Sequence, residues 1–377
     1  MTERLIADVA IIGGGIMGSS AALALRGQQR SVVLLEQGWC GAQASGVNYG
    51  GVRRQGRAPI QMPLADRAHA LWQRLPEIIG SDGEYIMSGH LRLARSADDM
   101  AILEAYRELT QPLGLSLELM GREAVHSRYP WLGKEVVGAS LCATDGHANP
   151  RLVAAGFALA AKRQGAQIHE GSRVDSMTFD GKHFTLRTHN GLEVQSRFLL
   201  NCAGAWGANV AAQFGEPVPE QPIYPSMFVT EPLPKLVDVN LGLVGGGFYA
   251  RQVERGNFVI GGARGRAQGS DQLALEATRP TSAATFQTMG MIYDIIPALR
   301  HALVIRSWTG IEGEMPDDQP VLGPSCTTPG LLHAFGFSGA GFQLGPAVGE
   351  VLAELVQGGI STTPIGPFGI QRFSLAG

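Results

Sequence analysis

The sequence predicts an α/β fold in which a parallel-sheet layer, assembled from three separate stretches of chain, is interleaved with an α+β layer built on a mixed sheet. Three observations carry this expectation. Residues 8–36 read as an apolar run, a glycine cluster, a helix-forming run, a second apolar run and an acid, which is a βαβ unit. Residues 197–207 and 331–346 follow the same order of strand, glycine-rich turn and helix. The stretches between them alternate short strands, helices and hairpins without such a turn. The expected division is therefore 1–80, 145–215 and 313–377 for the first layer, with 81–144 and 216–312 for the second.

The βαβ unit reads as Rossmann-like. Gly13-x-Gly15-x-x-Gly18 follows the first apolar run. In such a unit the first glycine permits the tight turn, the second lets a pyrophosphate approach the backbone, and the third lets the helix pack on the sheet. Exposed N–H groups where the helix starts, around Ile16 and Met17, then face the phosphates. Glu36 closes the second strand, near the interval of about 20 residues at which a carboxylate meets an adenosine ribose, and Gln37 follows it. The motif alone leaves NAD and FAD equally open.

Composition excludes several classes. A net charge of −3, with no Lys/Arg run, offers nucleic acid no electrostatic footprint. The four cysteines are scattered without a C-x-x-C pair, which argues against a disulfide framework or a cysteine-ligated metal and points to a reducing cytoplasm. No His spacing suggests a metal. Residues 9–25 are apolar, but the glycine cluster breaks a signal helix and Glu3 and Asp8 spoil a basic leader. No other charge-free apolar stretch reaches 18 residues, so no membrane insertion is expected.

After Glu36, residues 37–54 are small, polar and glycine-punctuated, a loop whose backbone can lie against a ligand. A helix is expected over 64–75, stopped by Pro76, then strands over 85–94, a helix over 98–113, a strand over 115–119 and a polar helix ending near Tyr129. Asn149 caps and Pro150 starts a helix over 151–164. Strands follow at 167–170, 172–179 and 184–188, with turns at Asp180-Gly181 and Asn190-Gly191, then a buried strand over 197–201. The proline-rich stretch 216–234 leads into the second layer, where 245–251 and 257–262 read as a hairpin or as adjacent strands of one sheet, 281–296 as a helix, and 304–310 as a strand. The last strand, 331–335, runs into a glycine loop over 336–346 and a helix over 347–356.

Together these segments resemble the D-amino acid oxidase family of FAD enzymes, which includes glycine oxidase, sarcosine oxidase and subunits of proline and opine dehydrogenases. The marks are the βαβ fingerprint, Ala44-Ser45-Gly46-Val47-Asn48-Tyr49-Gly50-Gly51-Val52-Arg53, Asp145-Gly146-His147-Ala148-Asn149-Pro150, Asn201-Cys202-Ala203-Gly204-Ala205-Trp206, and Met315-Pro316-Asp317 followed by Gly336-Phe337-Ser338-Gly339-Ala340-Gly341-Phe342. The resemblance implies a glutathione-reductase-type FAD domain. It places the loop of Ser45, Gly46, Val47, Asn48 and Arg53, and that of Gly339, Ala340, Gly341, Phe342 and Gln343, around the isoalloxazine ring. Val174 would meet the adenine through its backbone, and Ala203-Gly204, with Trp206 beyond, would back the pyrophosphate.

The wording of 48–53 and 308–320 looks most like the β subunits of hetero-oligomeric sarcosine oxidases and of proline, hydroxyproline and opine dehydrogenases. This implies an α partner and a small ferredoxin-like partner, with room for FMN at an interface. Three departures stand out. Glycine oxidase-like members carry a substrate-clamping arginine after the strand holding Trp308, where this chain has Thr309-Gly310-Ile311-Glu312. Monomeric sarcosine oxidases have a lysine at Gln343 and a flavin-bonding cysteine near Gly310. The β subunits of heterotetrameric sarcosine oxidase attach a second flavin through a histidine near Pro150, which is missing here. Non-covalent FAD is the expected state.

The family chemistry, hydride transfer from the α-carbon of a neutral amine to flavin N5 followed by imine hydrolysis, asks the protein for alignment and a dry pocket. Arg53 is the first candidate for a cation near the flavin, with Arg54 and Arg57 behind it. Tyr249 and Arg251 are candidates for orienting an amino acid, and Glu312 for meeting a cationic group. The substrate expected is a secondary amine or D-amino acid. A self-sufficient, oxygen-using oxidase and a structural flavoprotein subunit are the alternatives.

Overall fold

The computed structural model describes residues 3–267, 272–274 and 278–373. The first sheet has eight strands. Its path runs Val321–Pro324, Leu331–Phe335, Leu192–Asn201, Glu3–Ile12, Val32–Leu35, Gln167–His169, and the strands Phe184–Thr188 and Val174–Phe179 continue antiparallel from Leu192–Asn201. Along the path every pairing is parallel except the outermost, Val321–Pro324 on Leu331–Phe335.

Period-two alternation divides the first strand between two cores. Val9 and Ile11 face the helices Ile16–Gly27, Pro150–Arg163, Gly341–Gly358 and Met62–Trp72, while Ala10 and Ile12 face the side of the 174–188 hairpin. Small residues bring two of these helices together. A Cβ on Gly345 would stand 2.8 Å from the Ile16 side chain, and one on Gly349 would stand 2.5 Å from the Ser20 backbone. The Ser20 hydroxyl donates to the Gly345 carbonyl at 2.8 Å, closing the seam.

The second sheet is also eight-stranded and draws on two distant stretches. Its order is Val304–Thr309, Pro225–Pro232, Asn257–Arg264, Tyr249–Gln252, Asn240–Leu243, His90–Ala94, Gly138–Cys142, Glu118–Gly121. One pairing, Asn240–Leu243 on His90–Ala94, is parallel, and the others are antiparallel. Leu91, Leu93, Phe228, Leu241, Phe258 and Ile260 point into a core shared with helix Ser282–Ile295. The other face, carrying His90, Arg92, Met227 and Tyr249, looks into the cavity between the sheets.

Several elements differ from the sequence expectation. The proline-rich stretch contains strand Pro225–Pro232 inside the second sheet; its prolines stand at the strand ends, and the register slips beside both. Strand Gly138–Cys142 was not expected, and the strand expected over 197–201 begins at Leu192. Only His90–Ala94 of 85–94 is a regular strand. The helix expected over 64–75 ends at Trp72, and Pro76 sits in the first turn of the next helix, Leu75–Ile79, where its missing N–H costs nothing. The final helix starts at Gly341 and takes Pro346 inside it. Burial of its long apolar face outweighs the lost backbone hydrogen bond.

Candidate active site

A cavity of about 700 Å³ runs between the two sheets. At one end stands the turn leaving the first strand. Gly13 has φ +103°, and a Cβ there would collide with the Cys202 carbonyl. Glu36 accepts from Gly14 N and Gly38 N, each at 2.7 Å, so its carboxylate clamps the glycine loop while it lines the cavity. Burial raises its pKa and these backbone bonds oppose the rise. The Ser45 hydroxyl accepts from Ile16 N at 2.9 Å and ties the next loop to the helix start.

The middle of the cavity is walled by backbone. Gly204 and Gly339 have φ +56° and +80°, and a Cβ on either would project into open space. Val47 is pinned from the second sheet, because Trp308 Nε1 donates to its carbonyl at 2.7 Å. The open glycines form the cradle, the start of helix Ile16–Gly27 offers N–H donors, and the Glu36 carboxylate is the acceptor that an adenine dinucleotide ending in a flavin needs.

The far end is polar and cationic. Arg53, Arg57, Arg92, His90, Tyr249 and Glu312 line it. Arg53 Nη1 donates to the Gln55 carbonyl at 2.6 Å. Behind Arg53, the buried Asp145 accepts from Arg54 N and Gln55 N, both at 2.9 Å, and fixes this segment. Burial, before any neighbour, lowers the pKa of Arg53 and Arg92; it and the adjacent Arg53 charge bring Arg57 down to about 9. His90 is held well below its ordinary value by burial and then by Arg53, so it is neutral. Glu312 is raised by burial although it accepts from Gly339 N, and Tyr249 is raised by burial and stays a phenol.

Of the residues expected at the site, Gly13, Gly15, Ile16, Met17, Glu36, Gln37, Ser45, Val47, Asn48, Arg53, Val174, Ala203, Gly204, Trp206, Tyr249, Gly339, Gly341 and Phe342 line this one cavity. Five do not. A Cβ on Gly18 would meet Gly13 O and one on Gly46 would meet Gly41 O, so both serve packing. Ala340 is buried, with its carbonyl accepting from Arg57 Nη2 at 3.3 Å. Gln343 lies inside the final helix, where Nε2 donates to Ala65 O at 2.9 Å and its carbonyl accepts from Trp72 Nε1 at 2.8 Å. Arg251 is buried behind Tyr49, donating to its carbonyl at 3.1 Å and stacking over its ring.

Sequence reasoning missed His90 and Arg92. The available signal was two polar side chains, His90 and Arg92, at period two in the otherwise apolar run His90-Leu91-Arg92-Leu93-Ala94. Among the described residues no helix is long and apolar enough to cross a membrane, and no His/Cys/Asp/Glu group could hold a metal ion.

Comparison with known proteins adds the family. The chain is 25% identical over 386 residues to the pyruvate dehydrogenase phosphatase regulatory subunit, mitochondrial, of Mus musculus, covering 97% of this chain but 43% of that protein's length. It is 27% identical over 377 residues to the beta subunit of sarcosine oxidase of Rhizobium meliloti, covering 97% of this chain and 88% of that protein. The crystal structure of L-proline dehydrogenase from P. horikoshii superposes with TM-score 0.89 at 26% identity, over 100% of this chain and 99% of that one. The model of the DAO family, described as FAD dependent oxidoreductase, matches residues 8–355. With the dinucleotide cradle and the match spanning both sheets, the chain belongs to the DAO family of FAD-dependent oxidoreductases.

Proposed function

We propose that the protein oxidises the C–N bond of a secondary amine or D-amino acid, of proline, hydroxyproline, sarcosine or opine type, as the β subunit of a larger dehydrogenase. The observation that carries this reading is the cationic end of the cavity: Arg53 and Tyr249 stand among apolar Met227, Phe248 and Phe342, beyond the glycine walls. FAD, held by the Gly13 turn, the start of helix Ile16–Gly27 and Glu36, would supply the acceptor for the hydride on the carbon beside nitrogen, and the imine left behind would hydrolyse. Arg53 pairs with the substrate carboxylate. Tyr249, held as a phenol, donates a hydrogen bond to the same group, and Glu312 faces the nitrogen. The apolar side chains exclude water from the reacting carbon.

In this reading residues 1–80, 145–215 and 313–377 hold FAD without a covalent bond, and 81–144 and 216–312 hold the substrate. An α subunit and a small ferredoxin-like subunit complete the enzyme in the cytoplasm, with FMN at an interface. Similarity to a protein named as the beta subunit of a sarcosine oxidase supports the multi-subunit part. The test is an anaerobic panel of proline, hydroxyproline, sarcosine, D-amino acids and opines against the purified flavoprotein with its partner. Bleaching of the flavin by one class is the expected result. A flavin that stays oxidised throughout, or a chain purified without flavin, overturns the proposal, and peroxide made by the chain alone would assign it to the oxygen-using oxidases instead.

Similarity to a regulatory subunit favours a second reading, in which FAD holds an assembly together. Arg53→Ala leaving turnover of the complex unchanged, while FAD loss dissociates it, would select that reading.

A further inference from the structure

One carboxyl is sealed behind the cavity wall without a counter-ion. Glu220 stands just before the short strand Gln221–Ile223, which pairs antiparallel with Glu312–Glu314. The side chain is buried. Its Oε2 accepts from Ala208 N at 3.0 Å, in the first turn of helix Gly207–Gln213 and directly after the cavity-lining turn Gly204–Trp206. Its Oε1 is buried with no hydrogen-bond partner among the described residues. That oxygen is aimed at two glycines: a Cβ on Gly313 would collide with it, and one on Gly336 would stand 3.5 Å from it. Gly313 and Gly336 both line the cavity, so at these positions only backbone stands between Glu220 and the space for the cofactor.

The charged groups on the elements around Glu220 are committed elsewhere. Helix Gly207–Gln213 and strand Gln221–Ile223 carry no titratable side chain. On Glu312–Glu314, Glu312 accepts from Gly339 N and Glu314 pairs with Arg264 at 2.6 Å. On Leu331–Phe335, His333 meets Glu216 at 3.0 Å, and beyond Met315 the carboxylate of Asp317 pairs with Arg372 at 2.8 Å. Burial therefore pushes the Glu220 carboxyl up to about 7, opposed by the bond from Ala208 N. An ionised Glu220 leaves a desolvated charge on Oε1 facing the cavity, whereas the protonated acid is neutral there. FAD brings two phosphate charges into the same cavity, and like charges in a poorly hydrated site repel.

We infer that Glu220 is a positioning residue of the cofactor wall: in its protonated form it holds the turn at 204–208 against Gly313 and Gly336, and FAD binding takes up a proton at this carboxyl. The inference needs FAD in the cavity and holds whichever amine is oxidised. By linkage, FAD affinity is whole while the free protein is already protonated at Glu220, and it falls as pH rises through 7 and the proton must be supplied on binding.

The test reads binding without turnover. The FAD-loaded chain is diluted between about pH 6 and 8.5, and the flavin fluorescence that appears at equilibrium gives Kd. Kd should rise about tenfold over that range, the effect of one pKa unit of coupling between Glu220 and the cofactor. Glu220→Gln keeps an acceptor for Ala208 N and cannot ionise, so its Kd should stay near the low-pH value throughout. Glu220→Met loses that acceptor as well, so it should bind FAD more weakly at every pH, again without the slope. A slope dominated by Glu36, whose ionised form holds Gly14 N and Gly38 N, would have the opposite sign and overturn the inference. A slope that persists in Glu220→Gln would overturn it too, assigning the proton to another acid such as Glu312. If neither variant folds, FAD titrated calorimetrically into the FAD-stripped unaltered chain in two buffers of different ionisation enthalpy decides: proton uptake at pH 7.5 supports the inference, and no uptake sinks it. A flavin that no amine bleaches, with the pH slope intact, would sink the amine-oxidising reading and leave the role of Glu220 standing.

Discussion

The two ends of the cavity are built from different materials. The end at Gly13 is made of backbone: turns with positive φ, helix-start N–H groups and one carboxylate, all within short spans of sequence. The end at Arg53 is made of side chains that arrive from a loop, from two strands about 150 residues apart in the chain, and from the short strand Glu312–Glu314. A backbone site recognises what every member of a cofactor class shares, whereas a side-chain site can be rewritten one residue at a time. Changes at the two ends should therefore fail in different ways: the first by losing cofactor, the second by losing substrate while the flavin stays.

The sharpest test of that separation is Arg53→Met. It removes the guanidinium that Asp145 and its backbone contacts hold in place. Loss of a buried charge-assisted pair to substrate costs about 2–5 kcal/mol, so kcat/KM should fall by roughly thirtyfold or more with flavin content unchanged. Equal losses of flavin and turnover would erase the distinction between the two ends. Glu36→Ala is the converse. One oxygen of Glu36 holds Gly14 N of the glycine loop and the other holds Gly38 N of the next loop, so its removal should yield protein purified with little FAD, measured as the flavin-to-protein absorbance ratio. Full retention would show that the clamp does not serve the nucleotide.

How much of this could be read beforehand follows the same division. The nucleotide end was legible because its chemistry is a spacing of glycines and an acid, readable without knowing what packs where. At the polar end, the sequence pointed to Arg53, Arg57, Tyr249 and Glu312, all of which line the cavity, but not to His90 or Arg92. Arg92 faces the cavity because strand His90–Ala94 pairs with Asn240–Leu243, a contact no local pattern announces. Arg251 shares a strand face with Tyr249, so periodicity treats the two alike; Tyr49 caps the cavity between them and leaves Arg251 behind the wall. Gln343 failed for another reason. Glycines and a proline disguised the first turns of the final helix as a loop, and the helical turn carries that side chain to Ala65.

The seam between the two ends has its own signature in pH. His147 lies in the short strand Gly146–His147, which pairs with Gly51–Val52 beside the Arg53 loop. Burial first, then the Arg251 and Lys235 charges, lower its pKa from 6.5 to about 3. In the unfolded chain the imidazole takes up its proton near 6.5, so its contribution is whole above that pH and is lost as pH falls toward 3. Stability should therefore decline between about pH 6.5 and 4 in the unaltered protein, and His147→Gln should flatten that slope in urea titrations at several pH values. An unchanged slope would place the acid sensitivity elsewhere.

The smallest effect expected is in the packing beneath the nucleotide end, and it tests whether that end is rigid because of its loops or because of the helices under them. Gly349→Ala adds one methyl carbon whose Cβ would lie 2.5 Å from the Ser20 carbonyl carbon, in the seam closed by the bond from Ser20 to Gly345. The obstruction is backbone, so the two helices must separate to admit it. Overpacking of this kind costs about 1–3 kcal/mol, which in a chain this size is a drop in Tm of a few degrees. Because the start of helix Ile16–Gly27 lines the cavity, its displacement should weaken FAD binding slightly and leave kcat/KM of the FAD-loaded protein untouched. A lower kcat/KM in the FAD-loaded protein would mean that packing under one end reaches the other, and that the two ends are not independent.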